Sequence, residues 1–132
     1  MANASVAAEN CVVKFVKVID HRNETILSRV RWCDTFASRL RGLTLRRPLA
    51  PDEGLILVEA RAGIAATSIH MFFVNFDIAA VWLDDDRRVV HKTLARAWRP
   101  YYASTQPARY VLEGPPSLLD RITVGDSLRF EE

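Results

Sequence analysis

His70 and Asp77 are the residues best suited to acid–base chemistry, because an imidazole in an otherwise apolar stretch needs partners for both ring nitrogens and a carboxylate seven residues on can supply one. If the chain between them folds back around Val74 and Asn75, the pair could act as general acid and base in a hydrolase or lyase. A second group, Trp98, Arg99, Tyr101 and Tyr102, combines aromatic faces with a guanidinium fork. Such a set can hold a sugar, a planar ring or an acidic peptide, and it serves equally well as core packing with a tyrosine hydroxyl at the edge.

Other chemistries find little support. His70, His91 and Asp77 are the available metal ligands, but the chain has neither His-x-His nor His-Glu-x-x-His, so no metal is expected. Asp84-Asp85-Asp86 lies between two apolar runs and reads as a hairpin turn rather than a cation site. No Gly-x-Ser-x-Gly elbow accompanies Ser68 or Ser104, and neither Cys11 nor Cys33 has a CxxC spacing or a recognisable catalytic partner. Five scattered glycines leave no phosphate-cradling loop, and no cofactor is expected.

The elements that must position these residues are short. Strands are expected at Cys11–Ile19, Ile26–Trp32, Leu55–Glu59, Ser68–Phe73, Phe76–Leu83, Arg88–Leu94, Tyr110–Glu113 and Ser127–Phe130. His21–Glu24 is a turn, Phe36, Leu40 and Leu43 recur at helical spacing, and Pro116–Ile122 is a turn of helix. Trp98–Tyr102, interrupted by Pro100, is a loop or edge segment. Many short strands punctuated by turns predict a mainly β fold, an antiparallel sandwich or jelly-roll-like barrel with one or two short helices. Residues 1–10 are expected to form a flexible N-terminus ahead of one domain spanning 11–132.

Composition sets outer bounds. Of 132 residues 49% are apolar and 26% charged, an ordinary globular balance. Eighteen basic residues against sixteen acidic ones give a net charge of +2, too small a field to draw the chain onto nucleic acid or an anionic membrane. Fifteen of the basic residues are arginines, which fits either anion recognition or a GC-rich genome. The apolar stretch from Ile64 to Leu83 has the length of a membrane span, yet His70, Asn75 and Asp77 interrupt it and two buried strands suit it better. The first ten residues lack a basic start followed by an apolar run, so the cytoplasm is expected.

Three segments, in order, carry a resemblance: Arg39-Leu-Arg-Gly-Leu43, the run from Ser68 to Asp84 containing His-Met-Phe-Phe-Val-Asn-Phe-Asp, and Tyr110-Val-Leu-Glu113 followed by Gly125-Asp126. With Gly54-Leu-Ile-Leu between them, they resemble the family called domain of unknown function 192, over about Ala37 to Leu128. The resemblance implies a compact β-sandwich or jelly-roll-like fold from bacteria or archaea, with no established activity. The chain departs from the family pattern at Val74, Asp77 and Ala79, where Met, Pro and Asp are usual, and at Thr44, where Met is typical. Should the family's acidic residue act chemically, Asp77, two positions before Ala79 and of the same strand parity, is the substitute.

Arg39 in the Arg-x-x-Gly segment is expected to pair with Glu113 and pin a helix to the sheet, with Gly42 at a close approach or helix end; Arg41, Arg46 and Arg47 complete the local basic run. Three functions follow. The leading one is a binding or accessory module whose shallow site is formed by His70, Asp77, Trp98, Arg99 and Tyr101, taking a small molecule or peptide. The others are the His70/Asp77 enzyme and an interaction module presenting a β edge.

Overall fold

The computed structural model describes residues 14–35 and 47–132. Seven strands form one sheet: β1 (Lys14–Ile19), β2 (Thr25–Cys33), β3 (Glu53–Gly63), β4 (Ile78–Leu83), β5 (Val89–Ala95), β6 (Ala108–Gly114) and β7 (Arg129–Glu131), with a 3₁₀ turn at Pro116–Asp120. Their spatial order is β5-β4-β6-β3-β2-β1-β7. The fold is mainly β, as the alternating sequence requires.

Two details differ from the expected antiparallel order. Strands β2 and β3 run parallel, from Arg29 opposite Glu53 to Cys33 opposite Leu57. A parallel pair needs a connection long enough to return to the starting end, and residues 34–52 supply it. The sheet is therefore mixed. It also stops short of a closed barrel: its two edges meet at one end only, through an isolated bridge between Arg88 and Ser127 and N–H donations from Val89 to the Asp126 carbonyl and from Leu128 to that of Arg87.

The expected strand at Ser68–Phe73 is absent. Ile69 makes a single bridge to Tyr102, and the chain then turns at Met71–Val74, so β4 starts only at Ile78. Ile69, Met71 and Val74 are buried because they cap the sheet from above rather than belong to it. The helix expected over Phe36–Leu43 falls outside the described residues.

Strand β4 shows why such a cap is needed. All six of its residues are buried. Ala79, Val81 and Leu83 face one core with Val18, Val30, Ile56, Leu112 and Leu118, whereas Ile78, Ala80 and Trp82 face a second with Ile69, Met71, Val74 and Val111. A strand with no polar face must be covered on both sides, and the segment 64–77 is the cover on the second. The two cores together hold all of the buried apolar side chains among the described residues except Ile19, each fully buried Leu, Ile or Val contributing about 1.5–3 kcal/mol.

Local chemistry fixes the connections. Before the β1–β2 turn, Asp20 accepts N–H bonds from Glu24 and then Arg22, both 2.9 Å, which hold its carboxyl below the ordinary carboxylate value. Asp84 Oδ1 accepts from the N–H groups of Asp86 and Arg88, at 2.9 and 3.0 Å, so this aspartate shapes the β4–β5 turn. Gly54 lets β3 approach β6 closely, since a Cβ there would lie 2.7 Å from the Glu113 carbonyl oxygen. Gly54→Ala is expected to cost about 2 kcal/mol, read from the midpoint of urea unfolding, because backbone rather than a flexible side chain would have to move.

Candidate ligand surface

Two β-turns with the same construction lie side by side above the second core. In the first, Met71-Phe72-Phe73-Val74, the Val74 N–H donates to the Met71 carbonyl at 3.1 Å and Phe73 has φ 62°. In the second, Arg96-Ala97-Trp98-Arg99, the Arg99 N–H donates to the Arg96 carbonyl at 3.2 Å and Trp98 has φ 67°. The third position of such a turn, in the left-handed region, is where glycine or asparagine is favoured. Here each turn places a large ring there, and the two rings touch with centroids 5.1 Å apart and planes tilted by 58°.

The two loops are bonded to each other along their length. Ile69 and Tyr102 exchange N–H···O bonds of 2.8 and 2.9 Å, the Met71 N–H donates to the Arg99 carbonyl at 2.8 Å, and the Trp98 N–H donates to that of Met71 at 2.9 Å. Side chains complete the lacing. Asp77 Oδ1 accepts from the Ala97 N–H at 2.9 Å, Asn75 Oδ1 accepts from Trp98 Nε1–H at 2.9 Å, and the Tyr102 hydroxyl accepts from the Arg96 N–H at 3.0 Å. From below, Trp82 Nε1–H donates to the Thr67 carbonyl at 2.8 Å, tying the first loop to β4. The frame is thus fixed by hydrogen bonds that do not involve the outward faces of the rings.

Burial separates the two sides of this pair of loops. Ile69, Met71 and Val74 point inward, and Tyr102 packs with them. Outward stand Phe72, Phe73, Trp98 and Tyr101, with 43%, 52%, 49% and 63% of their surfaces exposed, together with His70, Arg96 and Arg99. These four aromatics make up most of the large apolar side chains that the described residues leave in water. The arrangement is a rigid, mostly apolar knuckle with cationic and donor groups around it.

The sequence-derived candidates take distinct places on this frame. His70, Trp98, Arg99 and Tyr101 are all exposed on the two bonded loops. Asp77 is half-buried and braces the second loop through Ala97. His70 Nδ1 accepts from the Phe72 N–H at 3.2 Å, which puts the neutral ring's proton on Nε2, and no hydrogen bond joins His70 to Asp77. His91 lies on β5 against the Trp82 ring, 5.3 Å between centroids. Among the described residues no three metal-ligating side chains come together.

Glu113 lies on β6 between Leu55 and Ala80, 5% exposed, and loss of water pushes its carboxyl up to about 7. Arg39 and Gly42, the other two residues expected to act structurally, fall outside the described residues. Phe72, Phe73 and Asn75 were not singled out by residue type. In a run that alternates like a strand nothing marks a positive-φ corner, so the only available signal was the placement of two adjacent phenylalanines before Val74 and Asn75.

A mixed seven-stranded sheet carrying a laced aromatic knuckle over its second core defines a small β domain whose main exposed aromatic surface, among the described residues, lies on loops. The chain belongs to the DUF192 family, described as "Uncharacterized ACR", which matches residues 17–130 and so takes in the second half of the first strand and all of the second, beyond the stretch from Ala37 that its motifs marked. It is 40% identical over 96 residues to a UPF0127 protein of Thermococcus kodakarensis, a match covering 73% of this chain and 59% of that one. With a UPF0127 protein of Pyrococcus horikoshii it shares 32% identity over 115 residues, 86% of this chain and 96% of the other. Against the Thermococcus kodakarensis relative the chain spans less than two-thirds of the length. A Novosphingobium aromaticivorans protein of unknown function superimposes with a TM-score of 0.76 at 22% identity, covering 93% of this chain and 96% of that one. A Sinorhizobium meliloti structure gives 0.77 at 22%, covering 90% and 94%. At that identity both show the fold alone. Among the described residues no helix is long and apolar enough to cross a membrane.

Proposed function

We propose that the chain is a binding module whose recognition surface is the outer face of the two laced loops, formed by His70, Phe72, Phe73, Trp98, Arg99 and Tyr101. One observation carries the reading: Phe73 and Trp98 both occupy left-handed corners that disfavour side chains, and both rings remain about half exposed. Holding a bulky residue in that region costs of order 1 kcal/mol, and exposing its ring forgoes the burial that would offset the cost. Packing accounts for the contact between the two rings and for the Trp98–Asn75 bond but not for leaving both rings half in water, whereas recognition does. Asp77 and Asn75 support the surface by bracing it, and cytoplasmic residence is part of the same proposal.

Glycine relieves the backbone strain while deleting the ring, so it separates display from packing. Phe73→Gly and Trp98→Gly are each expected to stay within about 1 kcal/mol of the parent in urea unfolding, the relief at positive φ offsetting the lost ring contact and the Asn75 bond. A loss above about 3 kcal/mol in either variant would show that the rings are core and that the loops display nothing.

A further inference from the structure

We infer that the partner of this surface is the headgroup layer of an anionic phospholipid membrane, with Phe72, Phe73, Trp98 and Tyr101 entering the interface and Arg96 and Arg99 meeting lipid phosphates. The inference rests on the binding-surface reading and names its ligand class. Its first support is the sign of the polar groups. Three side-chain acceptors beside the rings are turned to internal bonds: Asp77 Oδ1 to Ala97, Asn75 Oδ1 to Trp98 and His70 Nδ1 to Phe72. What faces outward beside the rings is the Arg96 and Arg99 guanidiniums, His70 Nε2–H and the Tyr101 hydroxyl, and the only carboxylate of the two loops is the half-buried, bonded Asp77. A surface of donors and cations around an apolar centre matches a partner that presents anionic oxygens above hydrocarbon.

Ring geometry narrows the choice. Phe73 and Trp98 are tilted by 58°, so they form a wedge rather than a flat slot for a planar base or a sugar ring. Trp98 also spends its only side-chain donor on Asn75, leaving the apolar ring toward the outside. Aromatic side chains at loop tips with flanking arginines are the side-chain set that settles at the boundary between lipid headgroups and acyl chains. Surface docking of this kind needs neither a spanning segment nor a large net charge.

The test mixes the whole chain with vesicles of phosphatidylcholine alone and of phosphatidylcholine with phosphatidylglycerol, following sedimentation and the blue shift of tryptophan emission. We expect at least about tenfold tighter partition onto the anionic vesicles, a decline with added salt, and losses of about tenfold in Phe73→Gly and severalfold in Arg99→Gln, with circular dichroism unchanged. No partition onto either vesicle, equal partition onto both, or full binding by Phe73→Gly would overturn the lipid assignment. If glycerol phosphate or polyglutamate in solution shifts Trp98 emission while vesicles stay silent, the assignment fails and the binding face stands. Severe destabilisation of the glycine variants is the separate result that removes the face itself.

Discussion

Trp82→Ala is expected to lower the unfolding free energy by about 3–5 kcal/mol, the cost of emptying a site filled by a fully buried indole. Trp82 is the largest of the fully buried side chains and stands on β4 beneath the first loop. Its removal also orphans the Thr67 carbonyl, which now accepts from Nε1–H at 2.8 Å. The effect therefore reaches the surface: amide exchange at Ile69 and Met71, whose N–H groups bond across to the second loop, should accelerate more than exchange in β1 and β2. Trp82→Phe keeps most of the packing and loses the donor, so a smaller cost of about 1–3 kcal/mol is expected. Urea unfolding of the three proteins checks the sequence of effects. A change below about 1 kcal/mol in Trp82→Ala would mean that the second core is not what holds the loops down.

Glu113 should make stability depend on pH in the direction opposite to an ordinary salt-bridged carboxylate. Burial raises its carboxyl from 4.5 to about 7, so between those values the folded protein keeps a proton that the unfolded chain has released. Its contribution is complete below about pH 4.5 and declines as pH rises, reaching its minimum once pH has passed about 7. The difference between the two ends of the window is about 3 kcal/mol. Glu113→Gln, which has no proton to lose, should flatten that part of the curve and gain most over the parent near neutral pH. Denaturation midpoints measured from pH 4.5 to 8 decide the matter. A slope unchanged by the substitution would assign the dependence to another group.

Much of the strand pattern was readable because a strand's side chains alternate with period two, and burial of one face imposes that alternation on sequence. Val16 and Val18 in β1 follow that alternation, whereas Leu55 to Val58 in β3 is a continuous apolar run set off by the turn residues before it. The same signal misled at Ser68–Phe73, since Ile69 and Met71 alternate like a strand while lying in a cap. Alternation reports that one side is buried, not that the backbone is paired. The parallel register of β2 and β3 was likewise hidden, because strand direction depends on where residues 34–52 lead the chain. Membership in the DUF192 family was legible from short segments for a related reason: local sequence such as Tyr110-Val-Leu-Glu113 is fixed by local packing needs.

For the candidate surface the division is sharper. Residue types alone brought out His70, Trp98, Arg99 and Tyr101, because aromatic, imidazole and guanidinium groups are the side chains able to recognise anything. Only the tertiary structure brought two loops more than twenty residues apart into contact, turned Asp77 from a partner for His70 into a brace for Ala97, and set Phe73 and Trp98 at matching left-handed corners. Composition and spacing determine which faces must be hidden from water, a requirement each residue carries with it. Which exposed groups meet depends on φ/ψ choices and hydrogen bonds between distant segments, and these are settled collectively, by the packing of Ile69, Met71 and Val74 over Trp82.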